Sequence, residues 1–408
     1  MNHIDKGWVL TCFGTAVGAG ILFLPIQAGF SGILSVIFLT VIIFPITYIS
    51  HRGITRIVAS CPKETDIVGA VEYDLGHVTG FIVSVLYFLS IITICVGYAT
   101  GLTNLINSFL INQLHFAVTP RPLLTFIIIS IMTGVLLGSE KLMITITSII
   151  TFPLIVLLFG ISIYMIPHWN VSAFHAQFIL KDFIKNTFLL LPILIFSMNF
   201  SPVCSVLGAF YRKKHENSDE AVRRSDKVIK WTSITLLFFV MLFVFSMFFS
   251  ITPDVLIMAK ENNLDVLSAI AVATESPLEK YFVYIFPMVA FLAISSSYFG
   301  HFTGTREGLS GIIARLFNCK EEANSNKMKL ISTSILFVLL WILAVYNLSI
   351  LTIISALSAP IIAMYAYLMP LVMMGKVPRL RIYRSKLATF VFVMGILIIV
   401  GYVVGEII

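Results

Sequence analysis

Apolar stretches long enough to cross a lipid bilayer follow one another along this 408-residue chain, separated by short polar segments. A helical span needs about 20 predominantly apolar residues, within a range of about 17–25. On that measure, spans lie near Trp8–Phe30, Ile33–Ser50, Val78–Leu110, Leu123–Leu137 and Met143–Ile166. Six more lie near Phe183–Phe210, Trp231–Ile251, Tyr281–Gly300 (running on towards Leu316), Leu330–Tyr346, Ser349–Met374 and Leu387–Ile407. The chain is 58% hydrophobic and 12% charged, against about half and about a quarter in a soluble domain. Lipid must therefore be the solvent for most of its surface. The expectation is an all-α integral membrane protein with about 11 transmembrane helices.

Lys and Arg orient such a chain, because they are enriched in cytoplasmic segments. With the N-terminus inside, the cytoplasmic segments hold Lys6, Arg52, Arg56, Lys63, Lys141, the cluster between Tyr211 and Lys230, Arg315, Lys320, Lys327, Lys329 and the group from Lys376 to Lys386. The outer segments hold only Arg121, Lys181, Lys185, Lys260 and Lys280. A ratio of about four to one predicts a cytoplasmic N-terminus and a periplasmic or extracellular C-terminus. The net charge of +7 then reflects orientation and not nucleic-acid binding. The run Arg212–Lys227 mixes both signs without interleaved aromatics and reads as a solvated loop or short helix.

The first apolar run lacks a small-residue cleavage pattern and reads as a retained span. Five scattered cysteines show neither CxxC spacing nor an even disulfide framework, so no cofactor or metal site is indicated beyond a place for a coupling Na⁺. The first inner loop, Cys61–His77, carries Glu64, Asp66, Glu72, Asp74 and His77, which read as solvated charges. The outer stretch Pro253–Glu279 is too polar to span and reads as a surface helix or lid.

Two of the spans are weakened where burial should demand regular helix. The first contains Thr11-Cys-Phe-Gly-Thr-Ala-Val-Gly-Ala-Gly20, with glycines at 14, 18 and 20 and then Pro25. Each Gly costs a helix about 1 kcal/mol relative to Ala. An unwound Thr15–Ala19 would present N–H groups and the positive end of the outer half-helix to a carboxylate. Its carbonyls would suit an ammonium group or a cation. The competing reading is a close-packing face of the GxxxG type. The second break, Ser197-Met-Asn-Phe-Ser-Pro202, combines a proline that frees a carbonyl one turn earlier with the polar Asn199 and Ser201.

One break falls in span one and the other in span six, as expected of two five-helix inverted repeats plus an eleventh helix. The corresponding division of one transporter domain, 1–408, is 1–166, 183–374 and 387–407. Candidate substrate ligands are Thr15, Ala16, Val17, Gly18, Ala19, Gly20, Asn199 and Ser201. On span eight, the hydroxyls of Ser296 and Ser297, with carbonyls freed around Gly14 and Val17, would make a hard oxygen cage for Na⁺. His301 is the alternative, a titrating proton carrier. Tyr87, Tyr98, Ser355 and Ser358 are further candidates to line a cavity. No Asp, Glu, Lys or Arg lies in the central portion of a span, which argues against a buried carboxylate or lysine relay.

The string Gly14-Thr-Ala-Val-Gly-Ala-Gly-Ile-Leu-Phe-Leu-Pro-Ile26 resembles the first-helix signature of the hydroxy/aromatic amino acid permease family. That family belongs to the amino acid–polyamine–organocation superfamily, whose fold is LeuT-type. Asn199-Phe-Ser-Pro202 and Phe299-Gly-His-Phe-Thr-Gly-Thr-Arg-Glu-Gly308 agree with it in position. The chain looks closer to the serine/threonine branch than to the tryptophan/tyrosine branch, although Phe200 stands where that branch often has a histidine. The resemblance implies proton-coupled amino acid uptake through a bacterial inner membrane, whereas Ser295–Ser297 would also suit sodium.

A membrane-embedded enzyme would need clustered Asp, His or metal ligands, and a channel would need a hydrophilic lining or a repeated filter. Neither is visible. The reading is a non-enzymatic, multi-pass secondary active transporter. It would carry a small hydroxy amino acid such as serine or threonine into the cytoplasm by H⁺- or Na⁺-coupled symport and alternating access. An aromatic or other neutral amino acid is the alternative substrate. The implied partners are the amino acid and membrane lipid, with no nucleic acid.

Overall fold

In hydrocarbon no water is present to satisfy backbone N–H and C=O groups, so each apolar stretch closes its own hydrogen bonds as a helix. The computed structural model describes residues 3–63, 65–137, 140–170, 178–273, 281–317 and 325–407, without the side chains of 140–149 and 151. Every regular element among them is helical. Glu64, Glu275, Lys280, Cys319 and Lys320 lie outside the described residues, as does the side chain of Lys141.

The first half runs α1 (His3–Ala16), α2 (Ala19–Ser31), α3 (Ile33–Ala59), α4 (Ile67–Leu75), α5 (His77–Asn112), α6 (Arg121–Leu137) and α7 (Glu140–Met165). The second half runs α8 (Leu180–Ser197), α9 (Ser201–Lys214), α10 (Ser218–Ser250), α11 (Pro253–Glu261), α12 (Val266–Ala273), α13 (Phe282–Leu316), α14 (Asn326–Val345) and α15 (Ile350–Lys376). The final helix, α16, covers Lys386–Ile407. Seven of these helices are long and apolar enough to cross a membrane alone. The pairs α1–α2, bent by 55°, and α8–α9, bent by 40°, bring the number to nine. The apolar α6, 17 residues long, takes the fourth place, and α7, 26 residues from Glu140 to Met165, takes the fifth. Nine of the expected eleven spans are thus counted by length and composition among the described residues.

Several helices outrun the stretches read from hydropathy. α3 continues past Ser50 because its polar side chains bond back into their own helix. Ser50 Oγ donates to the Thr47 carbonyl at 3.0 Å, and Thr55 Oγ1 to the His51 carbonyl at 2.9 Å. Such bonds remove the desolvation cost that would otherwise expel these groups from the core. α5 and α13 lie along each other, with Cys95 Sγ 3.4 Å from Thr305 Oγ1 and the Tyr98 and His301 rings edge to face at 5.4 Å.

The end of the molecule rich in Lys and Arg is laced with ion pairs. Glu72 on α4 bonds Arg315 of α13 and His77, each at 2.9 Å. Asp74 pairs with Arg379, whose guanidinium also reaches Ser60 Oγ and Cys61 Sγ. Glu72, Asp74 and His77 of this loop are therefore engaged and not simply solvated. Burial pushes the Cys61 thiol up to about 11, so it stays protonated at neutral pH despite the adjacent guanidinium. Asp5, fully buried, accepts from Tyr211 Oη at 2.6 Å and ties α1 to α9.

At the opposite end, the stretch from Pro253 forms the short helices α11 and α12, joined through Asn263 at φ +53°. Asn tolerates this left-handed conformation better than most residues. Its carboxamide donates to Asn347 Oδ1 (3.1 Å) and the Leu348 carbonyl (3.0 Å), and accepts the Ile350 N–H (2.9 Å). Its own carbonyl accepts from Asn104 Nδ2 at 2.9 Å. A lid-like segment is thereby fastened to the ends of α5, α14 and α15.

Candidate functional site

The break between α1 and α2 is narrower than the expected Thr15–Ala19. Thr15 Oγ1 donates to the Thr11 carbonyl (2.9 Å) and the Val17 N–H still bonds the Phe13 carbonyl (3.0 Å), so α1 stays helical through Ala16. Only Val17 and Gly18 leave the helix, Gly18 in extended conformation at φ −159°. α2 then starts at Ala19. The N–H groups of a helix's first turn have no acceptor within the helix, so α2 brings those of Ala19 and Gly20, with the positive end of its dipole, to the break.

Glycine is required at 18 by space. A Cβ there would stand 2.4 Å from Ser297 Oγ and 3.0 Å from the Tyr98 hydroxyl. At Gly20 it would meet the Phe196 ring at 2.7 Å and the Ser197 Cα at 3.0 Å. The first turn of α2 therefore lies against the last turn of α8, and the two breaks adjoin. Gly14 and Ala16 stay within α1.

At the second break, Met198, Asn199 and Phe200 leave the helix. Asn199 Oδ1 accepts the Ser201 N–H at 3.2 Å, capping the first turn of α9. Pro202 sits in that first turn, where a missing N–H costs no helical bond. The Phe200 N–H donates to Nε2 of His51, on α3, at 3.0 Å. His51 Nδ1 lies 2.8 Å from the Thr47 carbonyl and 3.0 Å from Ser50 Oγ, and its ring stacks on Phe200 with centroids 4.0 Å apart. His51 was missed in the sequence because it falls one residue beyond the hydropathic end of its span. The available signal was a histidine beside Ser50 continuing an apolar run.

Of the ion candidates, Ser297 reaches the first break, its hydroxyl donating to the Val17 carbonyl at 2.6 Å. Ser296 Oγ turns instead to the Ala293 carbonyl of its own helix (3.1 Å). His301 Nδ1 lies 2.8 Å from the Ser297 carbonyl, so it supports α13 beneath Ser297 and makes no described bond to α1. Among the other cavity candidates, Tyr98 borders Gly18, while Tyr87 packs on Tyr365 of α15 with ring centroids 5.3 Å apart. Ser355 Oγ donates to the Leu351 carbonyl (2.7 Å), inside the first of two π-helical segments of α15. Ser358 ends that segment. On the Lys- and Arg-rich side of the breaks, Tyr87, Ser205 and Glu307 border a cavity of about 330 Å³ between α5, α9 and α13.

Two broken helix pairs pressed together, with the first turn of α2 at one break and polar side chains at the other, belong to a helical membrane protein of the LeuT-type fold. A solved structure of MhsT in complex with L-phenylalanine has the same fold. It superposes with a TM-score of 0.58 over 100% of this chain and 97% of its own, at 14% identity. The chain belongs to the tryptophan/tyrosine permease family, which it matches over residues 6–407. It is 36% identical to the serine transporter SdaC of Escherichia coli (strain K12), over 97% of this chain and 93% of that protein. It is 32% identical to the threonine/serine transporter TdcC of Edwardsiella tarda, over 98% and 95%. It is a multi-pass membrane transporter and not an enzyme.

Proposed function

We propose that this protein is a secondary active symporter that carries serine or threonine into a bacterial cytoplasm, driven by an inward H⁺ or Na⁺ gradient. The observation that carries the reading is the contact of Gly20 with Phe196 and Ser197, which joins both breaks in one site. The substrate carboxylate would accept from the Ala19 and Gly20 N–H groups. Its ammonium would face the carbonyls of Val17 and of the Met198–Phe200 turn. Asn199 and Ser201 would meet the side-chain hydroxyl, in line with the serine and threonine/serine carriers among the relatives.

The coupling ion has two candidate positions. Sodium would take the Val17 carbonyl and the Ser297 hydroxyl, which already touch. A proton would need a titrating group at a break. Access would alternate as the helices around the breaks rock against α5 and α13, within two inverted repeats, 1–166 and 183–374. The fastened lid and the cavity on the Lys- and Arg-rich side support a state nearer to cytoplasmic opening. The same charge distribution supports an inner-membrane orientation with the N-terminus cytoplasmic and the C-terminus periplasmic.

The test is uptake by purified protein in liposomes. Labelled serine or threonine should be concentrated under an inward ion gradient, with Na⁺ and pH gradients applied separately and unlabelled tryptophan, tyrosine and phenylalanine as competitors. If no amino acid is concentrated under either gradient, symport is wrong.

A further inference from the structure

A backbone carbonyl only accepts and a backbone N–H only donates, so the partners of His51 fix its state. Nδ1 carries the proton and donates to Thr47, while the lone pair of Nε2 accepts the Phe200 N–H. We propose that His51 is the proton-binding residue that couples the ion gradient to the α8–α9 break; this rests on the symport reading above. When Nε2 takes a proton it changes from acceptor to donor. It then opposes the Phe200 N–H donor to donor, and that bond is lost. The neighbouring acceptor is Asn199 Oδ1, now engaged with the Ser201 N–H. Donation from the imidazolium to Asn199 would pull on the oxygen that caps α9 and, with the Phe200 bond lost, reshape the carbonyls and carboxamide that face the substrate. In the state seen here the ring is fully buried, so the proton can enter or leave only when the break opens. That is the condition for coupling without leak.

The surroundings leave this role to His51. None of its hydrogen-bond or ring partners is charged. Cys204 lies one turn along α9, with its Sγ towards the Phe200 carbonyl at 3.6 Å. Tyr367 of α15 lies beside Ser50. On α3 itself, Arg52 turns to the Tyr48 hydroxyl and Arg56 pairs with Asp226 of α10. α2 has no titratable side chain. Those of α8 lie in its first turns, and Lys386, Tyr402 and Glu406 lie towards the ends of α16. Glu72 and Asp74 of α4 are paired at the basic end.

The variant His51→Gln keeps an amide oxygen to accept the Phe200 N–H and an NH₂ to reach Thr47, but it does not titrate. With one proton per serine, an inward gradient of one pH unit concentrates serine about tenfold. Wild-type protein should reach that ratio in liposomes. His51→Gln should retain serine counterflow yet show no accumulation, and its counterflow should lose the pH dependence of the wild type. Full pH-driven accumulation by His51→Gln overturns the proposal. Accumulation by wild type under a Na⁺ gradient alone, indifferent to pH, overturns it too and leaves symport standing. Should His51→Gln and His51→Asn both fail to insert, proton uptake on adding serine to purified wild-type protein decides. Net uptake between about pH 5 and 8 supports a titrating histidine, and none rejects it.

Discussion

Between α1 and α2 only Val17 and Gly18 leave the helix, whereas between α8 and α9 Met198, Asn199 and Phe200 do so. The first break is made by the absence of side chains and held by what presses on it, the hydroxyls of Ser297 and Tyr98. The second is made by polar side chains that supply replacement bonds, Asn199 to its own chain and His51 from α3. The glycine break offers fixed backbone donors with no titratable part, which suits a feature common to every amino acid, the carboxylate. The side-chain break contains groups that can vary or change protonation, which suits selectivity and coupling.

This contrast predicts a graded set of effects. Gly18→Leu should do most, because even its Cβ overlaps Ser297 and Tyr98. Uptake of labelled serine should fall to the level of empty liposomes while the protein still inserts, and normal uptake would return the glycines to a packing role. Asn199→Ala should come next. Losing a capping bond costs about 1 kcal/mol, seen as a lower thermal midpoint in detergent, and the KM for serine should rise with it. A lower midpoint with an unchanged KM would make Asn199 structural only.

Ser297→Ala leaves the buried Val17 carbonyl without its donor, a loss of about 1–3 kcal/mol. Uptake should slow, and if sodium is the coupling ion its stimulation should vanish. Ser296→Ala should change least, because its hydroxyl serves only its own helix. An equal loss in both serine variants would show that Ser296 also turns towards α1 during the cycle.

The membrane-spanning character, the all-helical class and both helix interruptions were legible in the sequence because they depend on composition and local chain chemistry. So was the family, through the motifs at Gly14–Ile26, Asn199–Pro202 and Phe299–Gly308. Burial length was less legible. α3 reaches Ala59 because Ser50 and Thr55 satisfy themselves within the helix, and hydropathy counts such residues only as polar. The charges of the loop Cys61–His77 were read as solvated because the cationic partners of Glu72 and Asp74, Arg315 and Arg379, lie far along the chain.

What the sequence determined by itself is that this chain must live in lipid as helices, and that two of them must break. Apolarity and glycine or proline placement act locally, residue by residue. What only the tertiary structure decided is which groups meet at the breaks. Ser297 meets Val17 across 280 positions and His51 meets Phe200 across 149. Those pairings follow from how helices pack, and a hydrogen bond depends on distance in space and not along the chain.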